Sequence, residues 1–261
     1  MNMLTLEQLK KYYTVETSAS SKSILVEYVQ YELLDSIFKQ KQSRYLSFIG
    51  GTALRIVYNG SRFSEDLDFD NFGLSFDEFQ GLIDAVIEDM RLKGFVVEFR
   101  TIEKNAYHCY VRFPHILQNS EIASAPGEKI LVQIDTMEKK KIFAPVVHTI
   151  NKFDVYRTIL ANPEDILLSQ KLITILGRKR EKGRDFFDVS YLYGMTKPNF
   201  EYIEAMMEMS RDTFIDAVLS RCEQLDFKAL AQDVEPFLMY PEQSIRVTDF
   251  KSFIEQRLRM R

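Results

Sequence analysis

The chain has 261 residues, 46% of them hydrophobic and 28% charged, with a formal net charge of −4. That balance fits a globular protein able to bury a sizeable core and excludes a low-complexity or disordered chain. The acidic total argues against a long generic nucleic-acid groove, and no apolar run approaches the roughly 20 residues of a membrane span.

Taken in chain order, "MNMLTLEQLKKYY" is amphipathic and lacks a signal-peptide core. A serine-rich start leads into "ASSKSILVEYVQYELLDSIFKQK" (19–41), whose periodicity predicts a helix with a stripe of Ile24, Leu25, Tyr28, Leu33, Ile37 and Phe38. "YLSFIGG" reads as a short strand entering a glycine turn. "TALRIVYNG" reads as a short helix closed by Asn59-Gly60. "SEDLDFD" is the next strand, and "SFDEFQGLIDAVIEDMRLKG" (75–94) an amphipathic helix capped by Ser75 and ended by Gly94. Strands follow at 95–103, 107–114 and 129–136, the last two joined through the turn pair Pro126-Gly127.

After "KKKIFAPVV" the pattern changes. An extended piece, "VYRTILA", precedes "NPEDILLSQKLITILG", where Asn162 reads as an N-cap and Pro163 as the first helical residue. "RDFFDVSYLYG" is a further helix, and 198–261 is helical almost throughout. The expected division is an α/β domain over 1–145, with N-terminal helices, and a helical domain over 146–261 that completes the active-site cleft. Cys109 and Cys222 fit no metal spacing and read as buried, reduced thiols, pointing to a cytoplasmic protein. Basic residues gather at Lys139–Lys141, in "RKREKGR" (178–184) and in the terminal "RLRMR".

Strand alternation puts Asp66, Asp68 and Asp70 on one face and Leu67 and Phe69 on the other. Asp66 and Asp68 are hard oxygen ligands suited to Mg²⁺ or Mn²⁺, or else acids of a solvent-facing strand. Asp70 reads as the start of the next loop. Gly50, Gly51 and Thr52 sit at a strand-to-helix junction, where backbone approaches a phosphate closely or simply turns with Thr52 as cap. Asp135 ends an otherwise apolar strand, as a third ligand, a base or a strand terminator. Lys171 lies among leucines, either snorkelling or reaching phosphate oxygens. Asp185 and Asp188 share a helix face, or complement the helix dipole beside a solvated charged loop. Histidines 108, 115 and 148 show no ligand spacing.

"IGGTALRIVYNGSRFSEDLDFD", followed by the lone acid of "LVQID", resembles the nucleotidyltransferase superfamily related to DNA polymerase β. The run "NPEDILLSQKLITILGRKREKGRDFFDVSYL" narrows the resemblance to the AbiEii/AbiGii-type toxin branch, over roughly residues 20–240 and including "LDFKALAQDVEPFL". Thr52 stands where the broad superfamily has serine, and the Gly51-to-Asp66 spacing is slightly long; both are normal for the toxin branch.

The resemblance implies a mixed-sheet α/β nucleotidyltransferase fold with flanking helices and a helical C-terminal domain. It implies Asp66, Asp68 and Asp135 as metal and catalytic residues, with Lys171 and Asp185. Gly50, Gly51, Thr52, Arg62, Ser64, Lys171, Arg184 and Asp188 would surround the nucleotide. The implied reaction is transfer of a nucleoside monophosphate from a nucleoside triphosphate to RNA, most of all the tRNA 3′ end, by a toxin checked by a cognate antitoxin. A protein hydroxyl as acceptor, and a catalytically silent binding protein, are the other readings.

Overall fold

The computed structural model describes residues 3–14, 19–123, 125, 127–140 and 143–259. Pro126 of the expected turn, Lys141 of the first basic cluster and the last two residues of "RLRMR" lie outside the described residues. The chain forms two compact units, the first ending at Ala161 and the second beginning at Asn162.

The first unit runs α1 (Leu6–Lys10), α2 (Ser21–Phe38), β1 (Leu46–Ile49), α3 (Gly50–Ile56), β2 (Leu67–Asn71), α4 (Phe76–Leu92), β3 (Glu98–Glu103), β4 (Tyr107–Phe113), α5 (Ile116–Asn119), β5 (Ile130–Glu138), β6 (Val146–Lys152) and β7 (Val155–Ala161). Among the described residues these strands form one sheet, ordered β3-β4-β5-β2-β1-β7-β6. The sheet is mixed. β2 runs parallel to β5 and β1 to β7, and the other neighbours are antiparallel. α4 starts as its sequence requires, in a capping box between Ser75 and Glu78. It packs on α2, whose burial extends beyond one stripe to Glu27, Gln30, Asp35 and Ser36.

The unit boundary falls after Ala161, not at 145, because "VYRTILA" is half of a sheet hairpin. β6 and β7 pair from Val146↔Ala161 to Lys152↔Val155. The two turn residues, Phe153 and Asp154, have φ of 56° and 63°. Such turns favour Asn-Gly, since other residues are strained at positive φ. Packing holds Phe153 there: its ring is 1% exposed and lies 5.3 Å from Tyr31 and 5.8 Å from Tyr28, centroid to centroid.

Buried acids of α2 tie its neighbours together. Glu27, 3% exposed, pairs with Arg55 of α3 at 2.8 Å and Lys152 of β6 at 2.5 Å. Burial alone would raise its carboxyl pKa, but the two cations outweigh that and hold it below the ordinary range. Asp35 receives Lys93 and Arg157 at 2.7 Å and Lys39 at 2.9 Å. Burial again opposes, yet these hydrogen bonds bring its carboxyl down to about 2.

The second unit is helical: α6 (Glu164–Gly177), α7 (Gly183–Leu192), α8 (Phe200–Met207), α9 (Arg211–Glu223), α10 (Phe227–Val234), α11 (Ile245–Thr248) and α12 (Phe250–Arg259). Pro163, expected as the first helical residue, occupies the N-cap of α6 in place of Asn162. Phe186 of α7 packs edge-on against Phe250 at 5.0 Å and Phe227 at 5.4 Å. α7 can lie against α10 because Gly183 has no side chain: a Cβ there would collide with the Leu230 carbonyl oxygen. Each unit buries one cysteine, Cys109 at 0% and Cys222 at 1% exposure. Burial pushes their thiols up to about 12 and about 11.

Because the folded Asp35 carboxyl sits near 2, below its ordinary 3.8, it contributes stability that is complete above pH 4 and lost on descent towards pH 2. The expected loss is roughly 2 kcal/mol. Melting temperatures across that window should fall less steeply for Asp35→Asn than for wild type; parallel curves would exclude the effect.

Candidate functional site

β1 and β2 pair antiparallel with Ile49 opposite Asp68. The chain leaves β1 directly into Gly50, at φ +78°, and a Cβ on Gly50 would collide with the Asp68 carboxylate. Glycine is therefore required twice over, for the left-handed backbone and for the approach. A Cβ on Gly51 would collide with the Arg62 guanidinium and come within 2.8 Å of Ser64 Oγ. Arg62 is 3% exposed and donates to the Phe63 carbonyl at 2.9 Å. Gln30 of α2 fixes the Ser64 carbonyl at 3.0 Å. Thr52 does not cap the helix. It is fully buried, and its hydroxyl donates to the Asp66 carbonyl at 2.5 Å. Arg55 closes the far end of α3, donating to the Gly60 carbonyl at 2.9 Å while paired with Glu27. The structure thus brings together Gly50, Gly51, Thr52, Arg62, Ser64, Asp66 and Asp68.

The parallel pairing of β2 with β5 places Asp68 opposite Asp135, so both carboxylates leave the same sheet face on adjacent strands about 4.8 Å apart. Asp135 accepts Gln133 Nε2 at 2.8 and 2.9 Å and lies 2.8 Å from His108 Nδ1. His108 is the site residue that spacing in the sequence did not reveal. It reaches Asp135 through the β4–β5 register, His108↔Asp135, which joins residues far apart in the chain.

Among the described residues no three His, Cys, Asp or Glu side chains form a group that could hold a metal ion. The half-buried pair Asp66 and Asp68, beside a glycine turn that admits close approach, fits a hard cation that completes its shell with water and phosphate. Asp70 is not the start of a loop. It is fully buried within β2, because the strand continues to Asn71 and pairs on both sides.

In the second unit, Lys171 of α6 lies 3.1 Å from Asp185 and 2.8 Å from Asp188, each 2% exposed. Arg178 adds a contact to Asp185 at 3.3 Å. The i,i+3 spacing on α7 turns both acids onto one lysine. Lys171 is thus neither a snorkelling surface residue nor an unattached point charge; it is held by the buried acids. In "RKREKGR" Lys179 and Arg180 are exposed, whereas Arg178 is occupied by Asp185.

The family profile described as "Nucleotidyl transferase AbiEii toxin, Type IV TA system" matches residues 32–255. The chain therefore belongs to the AbiEii family, nucleotidyltransferase toxins of type IV toxin–antitoxin systems. Membership implies a nucleoside triphosphate substrate and an antitoxin. No curated protein matches the sequence significantly. MenT4, a nucleotidyltransferase toxin from Mycobacterium tuberculosis, superposes with a TM-score of 0.59 at 16% identity, covering 98% of this chain and 93% of that one. JHP933 from Helicobacter pylori gives 0.54 at 16% identity, with 92% and 95% covered. These likenesses confirm the fold. Among the described residues no helix is long and apolar enough to cross a membrane.

Gly50→Ala should displace the Asp68 carboxylate and lower activity at least tenfold, while costing about 1–2 kcal/mol for the left-handed alanine. Activity assays beside thermal melts check this; unchanged turnover would remove Gly50 from the site. Lys171→Ala leaves two buried carboxylates uncompensated and should destabilise the protein by about 3–5 kcal/mol. Adding Asp185→Asn and Asp188→Asn should restore much of that stability in denaturant titrations.

Proposed function

We propose that the protein transfers a nucleoside monophosphate from a nucleoside triphosphate to the 3′ hydroxyl of an RNA, above all a tRNA, and releases pyrophosphate in the cytoplasm. The observation that carries this reading is the meeting of Gly50 with Asp68 and of Gly51 with Arg62 and Ser64. Backbone without side chains, a guanidinium and a hydroxyl suit the seating of phosphate oxygens; paired carboxylates beside them suit a cation that a triphosphate brings.

In this reaction the acceptor oxygen forms a bond to the α-phosphorus, and the bond to the bridging oxygen of the β-phosphate breaks. The demands on protein are alignment and charge neutralisation. Arg62 and Ser64 orient the phosphates, and the Gly50–Gly51 backbone keeps space for them. Asp135, oriented by His108 and Gln133, takes the proton of the attacking hydroxyl. Asp66 and Asp68 would hold Mg²⁺ or Mn²⁺, which when bound offsets phosphate charge and eases hydroxyl deprotonation. Within the helical unit Asp185 and Asp188 hold Lys171 in place. Lys179 and Arg180 supply exposed cations for RNA phosphates.

Incubation with labelled nucleoside triphosphate, followed by separation of RNA and protein, is the test. Label should enter RNA, and Asp66→Asn with Asp68→Asn should reduce transfer by roughly 10²–10³ with no loss of melting temperature. Label confined to protein would overturn the RNA acceptor; retained transfer would make the acidic pair structural. Lys179→Ser with Arg180→Ser should weaken RNA binding and flatten its logarithmic salt slope by about 1.4, roughly 0.7 per phosphate contact on a single strand. An unchanged slope would remove this loop from the RNA surface.

A further inference from the structure

We propose that the helical unit holds a second ligand site, a cavity beyond the C-terminal end of α7 that binds a nucleotide through its phosphate and base. The cavity has a volume of about 640 Å³, within the range of about 300–1,000 Å³ usual for small-ligand pockets. Its lining includes Tyr193, Met195, Lys197, Phe200, Arg211 and Arg257. It is not the Lys171 cluster: Asp185 stands at the start of α7 and Tyr193 follows its end, about 12 Å along the axis at 1.5 Å per residue.

Its charge is one-sided. Among the described residues no carboxylate lies within ion-pair distance of Lys197, Arg211 or Arg257. The nearby Glu204 accepts the backbone N–H of Arg211 at 3.1 Å, not its side chain. The Arg211 guanidinium lies over the Phe200 ring at 4.4 Å, and that of Arg257 over the Phe253 ring at 5.3 Å. Stacking on a ring leaves the N–H fork of each arginine available to an anion. Tyr193 is 8% exposed, and its buried hydroxyl has no hydrogen-bond partner among the described residues. A buried hydroxyl without a partner is costly, and a ligand oxygen would remove that cost. Burial also raises the Tyr193 pKa, so the hydroxyl stays a donor.

Three cations and a phenol specify phosphate. Met195, Phe200 and Leu258 provide apolar walls, and the ring-stacked guanidinium offers a flat surface, so the occupant has a planar body as well as a charge. A nucleotide combines the two, whether free or at the end of an RNA strand.

Ligand-observed NMR in EDTA, with nucleoside monophosphates, inorganic phosphate and a single-stranded RNA trinucleotide as probes, tests the site. Saturable monophosphate binding should survive Asp66→Asn with Asp68→Asn, which separates this outcome from failure of the transferase reading. It should weaken at least tenfold in Arg211→Gln with Arg257→Gln, both exposed positions, and severalfold in Tyr193→Phe. Inorganic phosphate should bind more weakly than any monophosphate. Stronger displacement by the trinucleotide would identify a strand end as the source, and weaker displacement a free nucleotide. Absence of saturable binding, binding indifferent to the arginine changes, or phosphate binding as tightly as the nucleotides would overturn the proposal.

Discussion

β1 and β2 pair antiparallel with Ile49 opposite Asp68, and this register decides where the glycine turn meets the acidic strand. A shift of one residue would exchange the faces of β2, sending Asp68 towards the core and Phe69 out of it. Phe69 is 1% exposed and Leu67 fully buried, so the apolar side of the strand fixes the position of the polar side. The same strand pairs with β5, and the pairing continues to β4. In this way Asp68, Asp135 and His108 occupy neighbouring positions across three strands. Packing of the core therefore sets the geometry of the carboxylates.

Charge is handled in two ways. Four buried acids have cations in contact: Glu27 with Arg55 and Lys152, Asp35 with Lys93, Lys39 and Arg157, Asp185 and Asp188 with Lys171. Removing one member of such a group leaves a charge in a poor medium, so these clusters hold elements together mainly by forbidding their separation. Where like charges share a surface without being cancelled, the surface favours an ion of opposite sign. The cavity lined by Lys197, Arg211 and Arg257 is one such place.

The glycine turn, the acidic strand, the capped α4 and most helices were legible in the sequence because each is coded by local pattern: alternation, a capping box, a helical stripe. The resemblance to the nucleotidyltransferase toxins rested on the joint occurrence of such patterns, and the family match agrees with it. What escaped was long-range. The β6–β7 hairpin hid because Phe153-Asp154 is an unusual turn pair, held by tyrosines from α2. Asp70 looked like a loop residue because burial of an acid within a strand depends on both neighbouring strands. His108 carried no local signal, since its partner is set by register. Lys171 read as surface or phosphate-seeking because its acids arrive from another helix.

The two cysteines are divided one to each unit, and both thiols are sealed from solvent. A thiol held protonated by burial reacts with alkylating reagents only after its surroundings open. With no tryptophan in the chain, indole fluorescence is silent. Alkylation of Cys109 and Cys222, resolved by mass spectrometry, instead gives a separate clock for the opening of each unit. Comparing the two clocks shows whether the α/β unit and the helical unit unfold as one cooperative body or in succession.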